Sequence, residues 1–463
     1  MKLASKIKLV TSIGFLLLLM SNCGILEKSN TKQVENNKLK IINRIKLPNI
    51  GSTTFNLADY NAVSDGLTDC KPIIDSLIKV LSSRAGGKLI IPKGVFFCKG
   101  PIKMESHINL HLEDGATLLF SQNSKDYLPL QLVRWEGVEV YNYSPYIYAK
   151  DKIDIAITGK GTLNGNAEGG IATWRPLQKE AQNTLRKMGK EQIPVQEREF
   201  GEGHYLRPSF IQFFNCQNIL ISDITIENVP FWVVHPTYCK NITIRNININ
   251  SSKINNDGID MDSCEDALIE NCVFINSGDD AIAIKSGRDN DAWRVNRPSK
   301  NIVVRNCIAE KVLHGIAFGS EMSGGIESIY VENIALKHVR GKAIQFKSNK
   351  DRGGYIRNIF IDGVYIDTTR IALYFTNDYH SYAGGNSPAD YHHITIKNLI
   401  CNYATDNSLN IKGLDEQPIH DVFLENFLVL KENLKSKINN VKDFNCKNVI
   451  ISGEALESIV KKQ

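Results

Sequence analysis

From about Asn218 onward one phrase recurs along the chain: "NILISDITIENV", "NITIRNININ", "DALIENCVFIN", "NIVVRNCIAE", "SIYVENIALKH", "NIFIDGVYID", "HITIKNLICNY", "DVFLENFLVL" and "NVIISG". Each copy couples an alternating apolar run to Asn or Asp and then to a second short run. Alternation of period two marks half-buried strands, and helix-period apolar patterns are scarce. Equivalent Ile, Leu or Val positions return roughly every 23 to 35 residues, a solenoid period. One such unit cannot bury its apolar face alone, whereas stacked units share a continuous core. The recurring Asn suits tight turns, because it tolerates left-handed backbone and bonds to its own chain. The pattern predicts an all-β parallel β-helix; an ordinary β-sandwich would not repeat one phrase.

The first third reads differently. "TDCKPIIDSLIKVLSS" offers Asp69 as N-cap and Pro72 in the first turn of a helix with apolar residues at helical spacing. Laid over the open first coil, that helix would cap the solenoid. "GGKLIIPKGVFFCKGPIKM" follows as strand, turn and strand. The charged stretch from about Trp174 to Leu206 is too long for a turn and predicts a projecting loop with a helical piece. Long insertions in solenoids often cluster on the binding face.

The N-terminus stands outside this pattern. Lys2, Lys6 and Lys8 precede "LVTSIGFLLLLM", and "SNC" then ends in Cys23. That is a signal peptide, with an apolar region too short to span a bilayer stably. Its cysteine resembles the lipidated residue of a bacterial lipoprotein signal, although Asn22 stands where a small residue is usual; plain secretion is the alternative. Residues 24–46 are polar and rich in Asn and Lys, and read as a flexible tether. A single domain is expected over 47–463. With 42% hydrophobic residues the chain can build a large core, and its net charge of +5 fits a polyanionic partner without requiring one. Nine of the ten cysteines follow Cys23, several in "NC" contexts inside strands, where they read as small buried hydrophobes.

Candidate chemistry falls within the repeat. "NNDGIDMDSC" carries Asn255 and Asp257, with Asp260 and Asp262 read as backbone caps, as is Asp266 further on. "SGDDAIAIKSG" carries Asp279 and Asp280 about one coil later. His314, then Gln345 and Lys347, then Tyr379 each follow after about one more coil. Residues one period apart stack at the strand spacing of about 4.8 Å. Asp257, the aspartate pair, His314, Lys347 and Tyr379 are therefore expected in one vertical stripe. Carboxylates crowded on adjacent coils raise one another's pKa, so one holds a proton while others stay ionised. One acid and one base in a groove are what glycosidic hydrolysis needs. Taken singly, each residue has a structural reading as a turn cap, a calcium ligand or a hydrogen-bonding His; their shared column favours the chemical one.

At these residues the sequence resembles glycoside hydrolase family 28, the polygalacturonases, in its bacterial branch. Asn255-Asn256-Asp257, Gly278-Asp279-Asp280, His314-Gly315 and Gln345-Phe346-Lys347 occupy the family's four ordered signatures. "YNAVSDGLTDCKPIIDSLIKVLSSRAGGKLIIPKGVF", "GKGTLNG" and "HGIAFGSEMSGG" extend the likeness. The resemblance implies a right-handed parallel β-helix that hydrolyses α-linked galacturonan with inversion. It implies Asp279 as general acid, Asp257 and Asp280 as activators of water, and His314 in support of the acid. Lys347 and Tyr379 would hold the substrate, and Asn255 would orient the sugar or an aspartate. Gln345 departs from the family arginine and cannot form a charged fork. Either Lys347 with a nearby cation, Arg352 being a candidate, replaces that arginine, or the subsite takes another uronan such as rhamnogalacturonan.

The expected partner is an acidic polysaccharide, with no cofactor, no metal cluster and no nucleic acid. Membrane contact would come only through the lipid, in an exported protein that is periplasmic, at the cell surface or secreted. A polysaccharide lyase would need a basic residue beside Asp279, and a non-catalytic glycan-binding solenoid would not need Asp257, Asp279 and His314 together.

Overall fold

The computed structural model describes residues 25–380 and 382–456. Cys23 and the expected signal segment lie outside the described residues. The chain divides into a short unit ending at Lys40 and a large unit beginning at Ile41. Ile25–Arg44 is an α-helix, where a flexible tether was expected. No Pro or Gly interrupts the run, and Glu35 pairs with Lys38 one turn on, at 2.7 Å. Among the described residues no helix is long and apolar enough to cross a membrane.

The large unit is a right-handed parallel β-helix. Its coils are held in register by a ladder through Ile219, Ile242, Ala267, Ile302, Ile329, Ile359, Ile394 and Val422, each paired with the next. These side chains are at most 1% exposed. Each large aliphatic rung contributes about 1.5–3 kcal/mol by leaving water. The repeated Asn residues sit where the chain turns with left-handed φ, as at Asn218, Asn241, Asn246 and Asn271. Their amides also bond between coils, Asn241 Nδ2 to Asn218 Oδ1 at 2.9 Å and Asn271 Nδ2 to Asn246 Oδ1 at 3.2 Å.

The helix Lys71–Ser83 buries Ile74, Leu77, Ile78 and Leu81 on the first coils. Its N-cap position is Cys70 rather than Asp69, because Asp69 still ends the strand Asp65–Asp69. The Asp69 carboxylate nevertheless accepts from Lys71 N at 2.9 Å. The insertion after Trp174 contains the helix Lys179–Lys190. It packs on a hairpin, Gln131–Trp135 against Val138–Asn142, that the sequence reading did not single out. Val133, Trp135, Val138, Ala181, Leu185 and Trp232 belong to a second apolar cluster, separate from the coil interior. This cluster anchors a wall beside a seven-stranded parallel sheet that includes Ile259–Asp262, Asp280–Lys285, His314–Gly319, Lys342–Lys347 and Ile371–Thr376. The nine cysteines from Cys70 to Cys446 form no disulfide, and all but Cys446 are buried.

Candidate active site

The acids converge because neighbouring coils present their turns at the same edge of this sheet. Asp280 opens its strand and pairs in register with His314. Gly258 N donates to Asp280 O at 2.9 Å and His314 N to Asp279 O at 3.3 Å, so Asp257, the aspartate pair and His314 occupy three successive coils. Gly278 is needed where it stands: a Cβ there would lie 1.8 Å from the Lys253 carbonyl oxygen. Lys347 does not continue the column. It aligns with Gly319 and Thr376, at the far end of its strand, and its side chain reaches back to Asp280. Tyr379 lies beyond the strand Ile371–Thr376, its ring centroid 5.5 Å from Lys347 Nζ.

Adjacent carboxylates meet opposite surroundings. Asp280 is buried and accepts from Lys347 Nζ at 2.8 Å and Gln345 Nε2 at 2.7 Å. Burial pushes its carboxyl up, but Lys347 and Lys285 outweigh burial and hold it below the usual range. Asp279 is half-buried and accepts only from Asn255 Nδ2, at 3.3 Å. Burial, then Asp257 and Asp280, push its carboxyl well up. The two adjacent carboxyls are therefore shifted in opposite directions. Asn255, in left-handed backbone at φ 64°, is itself held by Arg207 Nη2 at 2.8 Å.

Asp257 is buried, with one oxygen 3.2 Å from Lys285 Nζ and the other without a hydrogen-bond partner. Burial and Asp260 push its carboxyl well up. Asp260 is not a turn cap: it is fully buried 3.3 Å from Lys285 Nζ, and burial pushes it up to about 7. Asp262 is not one either, pairing with Arg134 at 2.9 Å and His235 at 3.3 Å inside the wall. Asp266 stands in left-handed backbone and pairs with Arg44.

His314 Nδ1 accepts from Lys342 N at 3.0 Å, which leaves Nε2 to carry the proton of the neutral ring. Burial holds its pKa down to about 3. Gly341 gives the ring its room, since a Cβ there would fall 2.4 Å from the imidazole. Asp279, Asp280 and His314 present donor atoms within 4.8 Å of one another, the one such group of acids and imidazoles among the described residues.

Gln345 is placed otherwise than expected. It is fully buried and its amide Nε2 donates to Asp280. Arg352 is also buried: Nε donates to Ser320 O at 2.9 Å, Nη1 to Asp289 at 2.6 Å, and Nη2 has no hydrogen-bond partner. A cavity of about 120 Å³ joins the three aspartates to Arg352, Tyr379 and a set of residues the sequence reading passed over. Among these, Lys285 bridges Asp257 and Glu321 and lies 4.1 Å above the Trp232 ring. Arg288 pairs with Glu321. Arg186, from the inserted helix, pairs with Glu136 from the hairpin turn at 2.6 Å. Lys285 was visible in "AIAIKSG" two coils before Lys347; Arg186 and Glu136 carried no periodic signal because they stand outside the coils. The insertion also touches the loop after Thr376, Lys190 Nζ donating to Ala383 O at 3.1 Å. One side of the acids is thus walled.

The model of glycosyl hydrolases family 28 matches residues 88–450. A solved exopolygalacturonase from Thermotoga maritima is 36% identical, superposes with a TM-score of 0.80 and matches 89% of this chain and 96% of its own. A probable polygalacturonase of Vitis vinifera is 33% identical over 340 residues, 71% of this chain but 63% of that protein. An exo-poly-alpha-D-galacturonosidase of Dickeya chrysanthemi is 24% identical over 439 residues, 86% of this chain and 71% of that protein. With the family match spanning most of the β-helix and all four signature segments, the chain belongs to glycosyl hydrolases family 28 and is a glycoside hydrolase.

Proposed function

We propose that the protein hydrolyses α-glycosidic bonds of a pectic polygalacturonan from the chain end, with inversion. The observation that carries this reading is the unequal treatment of Asp279 and Asp280 within one turn: Lys347 and Gln345 clamp Asp280, while Asp279 has only an amide for a partner. Asp279 then donates its proton to the leaving glycosidic oxygen. Asp280 takes the proton of the attacking water, with Asp257 as its neighbour on the adjoining coil. His314, neutral, hydrogen-bonds as a fixed dipole and leaves the acid's proton in place. Tyr379 packs the sugar ring, and the spare Arg352 Nη2 takes the uronate carboxylate in place of the family arginine, with Lys347 as the adjacent charge. The pectic substrate has the support of the exopolygalacturonase and exo-poly-alpha-D-galacturonosidase relatives, and action from the end has the support of the wall formed by Glu136, Arg186 and Tyr379.

The decisive measurement is reducing-sugar release from polygalacturonate by wild type beside Asp279→Asn. We expect at least a hundredfold loss of kcat with an unchanged melting temperature. A variant that keeps a tenth of the activity would remove Asp279 from the acid's role. Monogalacturonate as the sole early product would support end-wise action, and a ladder of oligomers would refute it. A rhamnogalacturonan substrate would show as a faster rate on that polymer. Export and anchoring through Cys23 complete the reading; Cys23→Ala that stays in the membrane fraction would overturn the anchor.

A further inference from the structure

On the 22-stranded sheet, which does not carry the acids, three imidazoles and two carboxylates meet across two successive coils. The strands Asp390–Ala404 and Ile419–Glu432 pair in parallel with His392 opposite His420, and the two rings stack face to face at 5.0 Å. On one side of the stack Asp390 serves both Nε2 atoms, 3.6 Å from that of His392 and 3.2 Å from that of His420. Gln417 Nε2 donates to Asp390 at 3.1 Å and steadies it there. On the other side His392 Nδ1 faces His393 Nδ1. His393 Nδ1 lies 3.8 Å from Asp421 Oδ2, which in turn lies 2.9 Å from His420 Nδ1. His393 and Asp421 stand in left-handed backbone, at the turn position where other coils carry Asn218, Asn241, Asn301 and Asn358. Of the cations aligned with the stack, Arg357 on the preceding coil is engaged by Glu327 at 2.6 Å, and Lys442 on the following coil is exposed.

We propose that His392, His393, His420 and Asp421 bind one divalent transition-metal ion of the zinc type, which ties these two coils together. Proton accounting carries the inference. With Nε2–H turned to Asp390, His392 and His420 each present an unprotonated Nδ1. A proton on His393 Nδ1 can serve both His392 and Asp421. His420 Nδ1 and Asp421 Oδ2 then remain as two acceptors 2.9 Å apart with no hydrogen between them. The cluster therefore lacks one positive charge, on the side of the stack where four ligand atoms follow one another. Imidazole nitrogens with a carboxylate oxygen suit zinc, copper or nickel, whereas calcium and magnesium take oxygen ligands. Asp390 stands where a carboxylate orients metal-bound imidazoles, on the ring nitrogens away from the ion. The four atoms are strung in sequence, and His393 and Asp421, with side chains 60% and 40% exposed, have room to close about the ion. The expectation of no metal cluster passed over this set because "YHHITI" and "IHDVFL" lie a whole coil apart.

The test is calorimetric titration of the chelator-stripped protein with zinc chloride at neutral pH. Wild type is expected to bind one equivalent and to melt at a higher temperature with zinc than without. His393→Asn gives this turn the residue that other coils carry, and His420→Gln keeps a polar side chain. Each is expected to weaken zinc binding at least tenfold and to lose the rise in melting temperature, while melting with the metal-free wild type when no zinc is added. Asp279→Asn is expected to bind zinc as wild type does, since the acids belong to the other sheet. Wild type that binds no zinc would mean that protons alone fill the gap, and the proposal fails. Affinity unchanged in either histidine variant, or lost in Asp279→Asn, overturns it equally.

Discussion

At the scale of single residues, the site works by making two adjacent aspartates unlike. Lys347 and Gln345 are the means, both donating to the Asp280 carboxylate. On the proposed mechanism Gln345 therefore tunes the base. Replacing it by Leu removes a donor to the ionised carboxylate, a hydrogen bond of about 1.5–3 kcal/mol, so the Asp280 pKa rises. A base works ionised, and its contribution is lost as pH falls through its pKa. The acid limb of kcat/KM in Gln345→Leu should accordingly move toward neutral by about one unit, as read from the pH profile. An unmoved limb would mean that Asp280 is not the base. The alkaline limb should lie above the ordinary carboxylate range, because Asp279 is held protonated by burial and by Asp257 and Asp280.

At the scale of elements, the strand Lys342–Lys347 of the site sheet alternates site-facing Gln345 and Lys347 with the core rungs Ile344 and Phe346. Phe318, Phe346 and Phe375 stack face to face at 4.5 and 4.2 Å beneath this sheet, and Phe346 lies between Gln345 and Lys347. The ladder thus fixes the strand that clamps Asp280. Phe346→Ala should cost about 3–5 kcal/mol, measured by urea denaturation, with the usual penalty of a buried cavity. Activity at low temperature should fall as well, because the Gln345–Asp280 bond loosens with its strand. The inserted helix and the hairpin act differently: they bring Arg186 and Glu136 to the cavity from outside the repeat, on an apolar cluster of their own.

At the scale of the molecule, a β-helix is a one-dimensional stack in which each coil leans on its neighbours. The coils bearing Asp257, Asp280 and His314 are covered from both ends. The last long strand, Val441–Ile451, is mostly half-buried or exposed, and its remaining pairing is to the two-residue strand Glu454–Ala455. Amide exchange should therefore be fastest in Val441–Ile451 and slowest in the strands from Ile259 to Lys347, read by hydrogen–deuterium exchange. Uniform protection along the stack would contradict this picture.

Much of this was legible in the chain. Period-two alternation with Asn at the turns has one economical packing, a stack of coils, and it carries Asp280 over His314 without further information. The signature segments carried the family. Counting along the chain failed for Lys347, because coils range in length and each turn absorbs the difference; registry put it beside Gly319 and left its long side chain to reach back. Composition likewise misread Ile25–Arg44, since polar Asn-rich sequence without Pro or Gly can still close helical hydrogen bonds. The sequence by itself determined the repeat, the buried rungs and the order of the acids, all of which follow from local alternation. Only the tertiary structure decided which aspartate is clamped, that Gln345 faces Asp280, and which side of the acids is closed. Those are contacts between coils and insertions distant in sequence, and no local pattern encodes their distances.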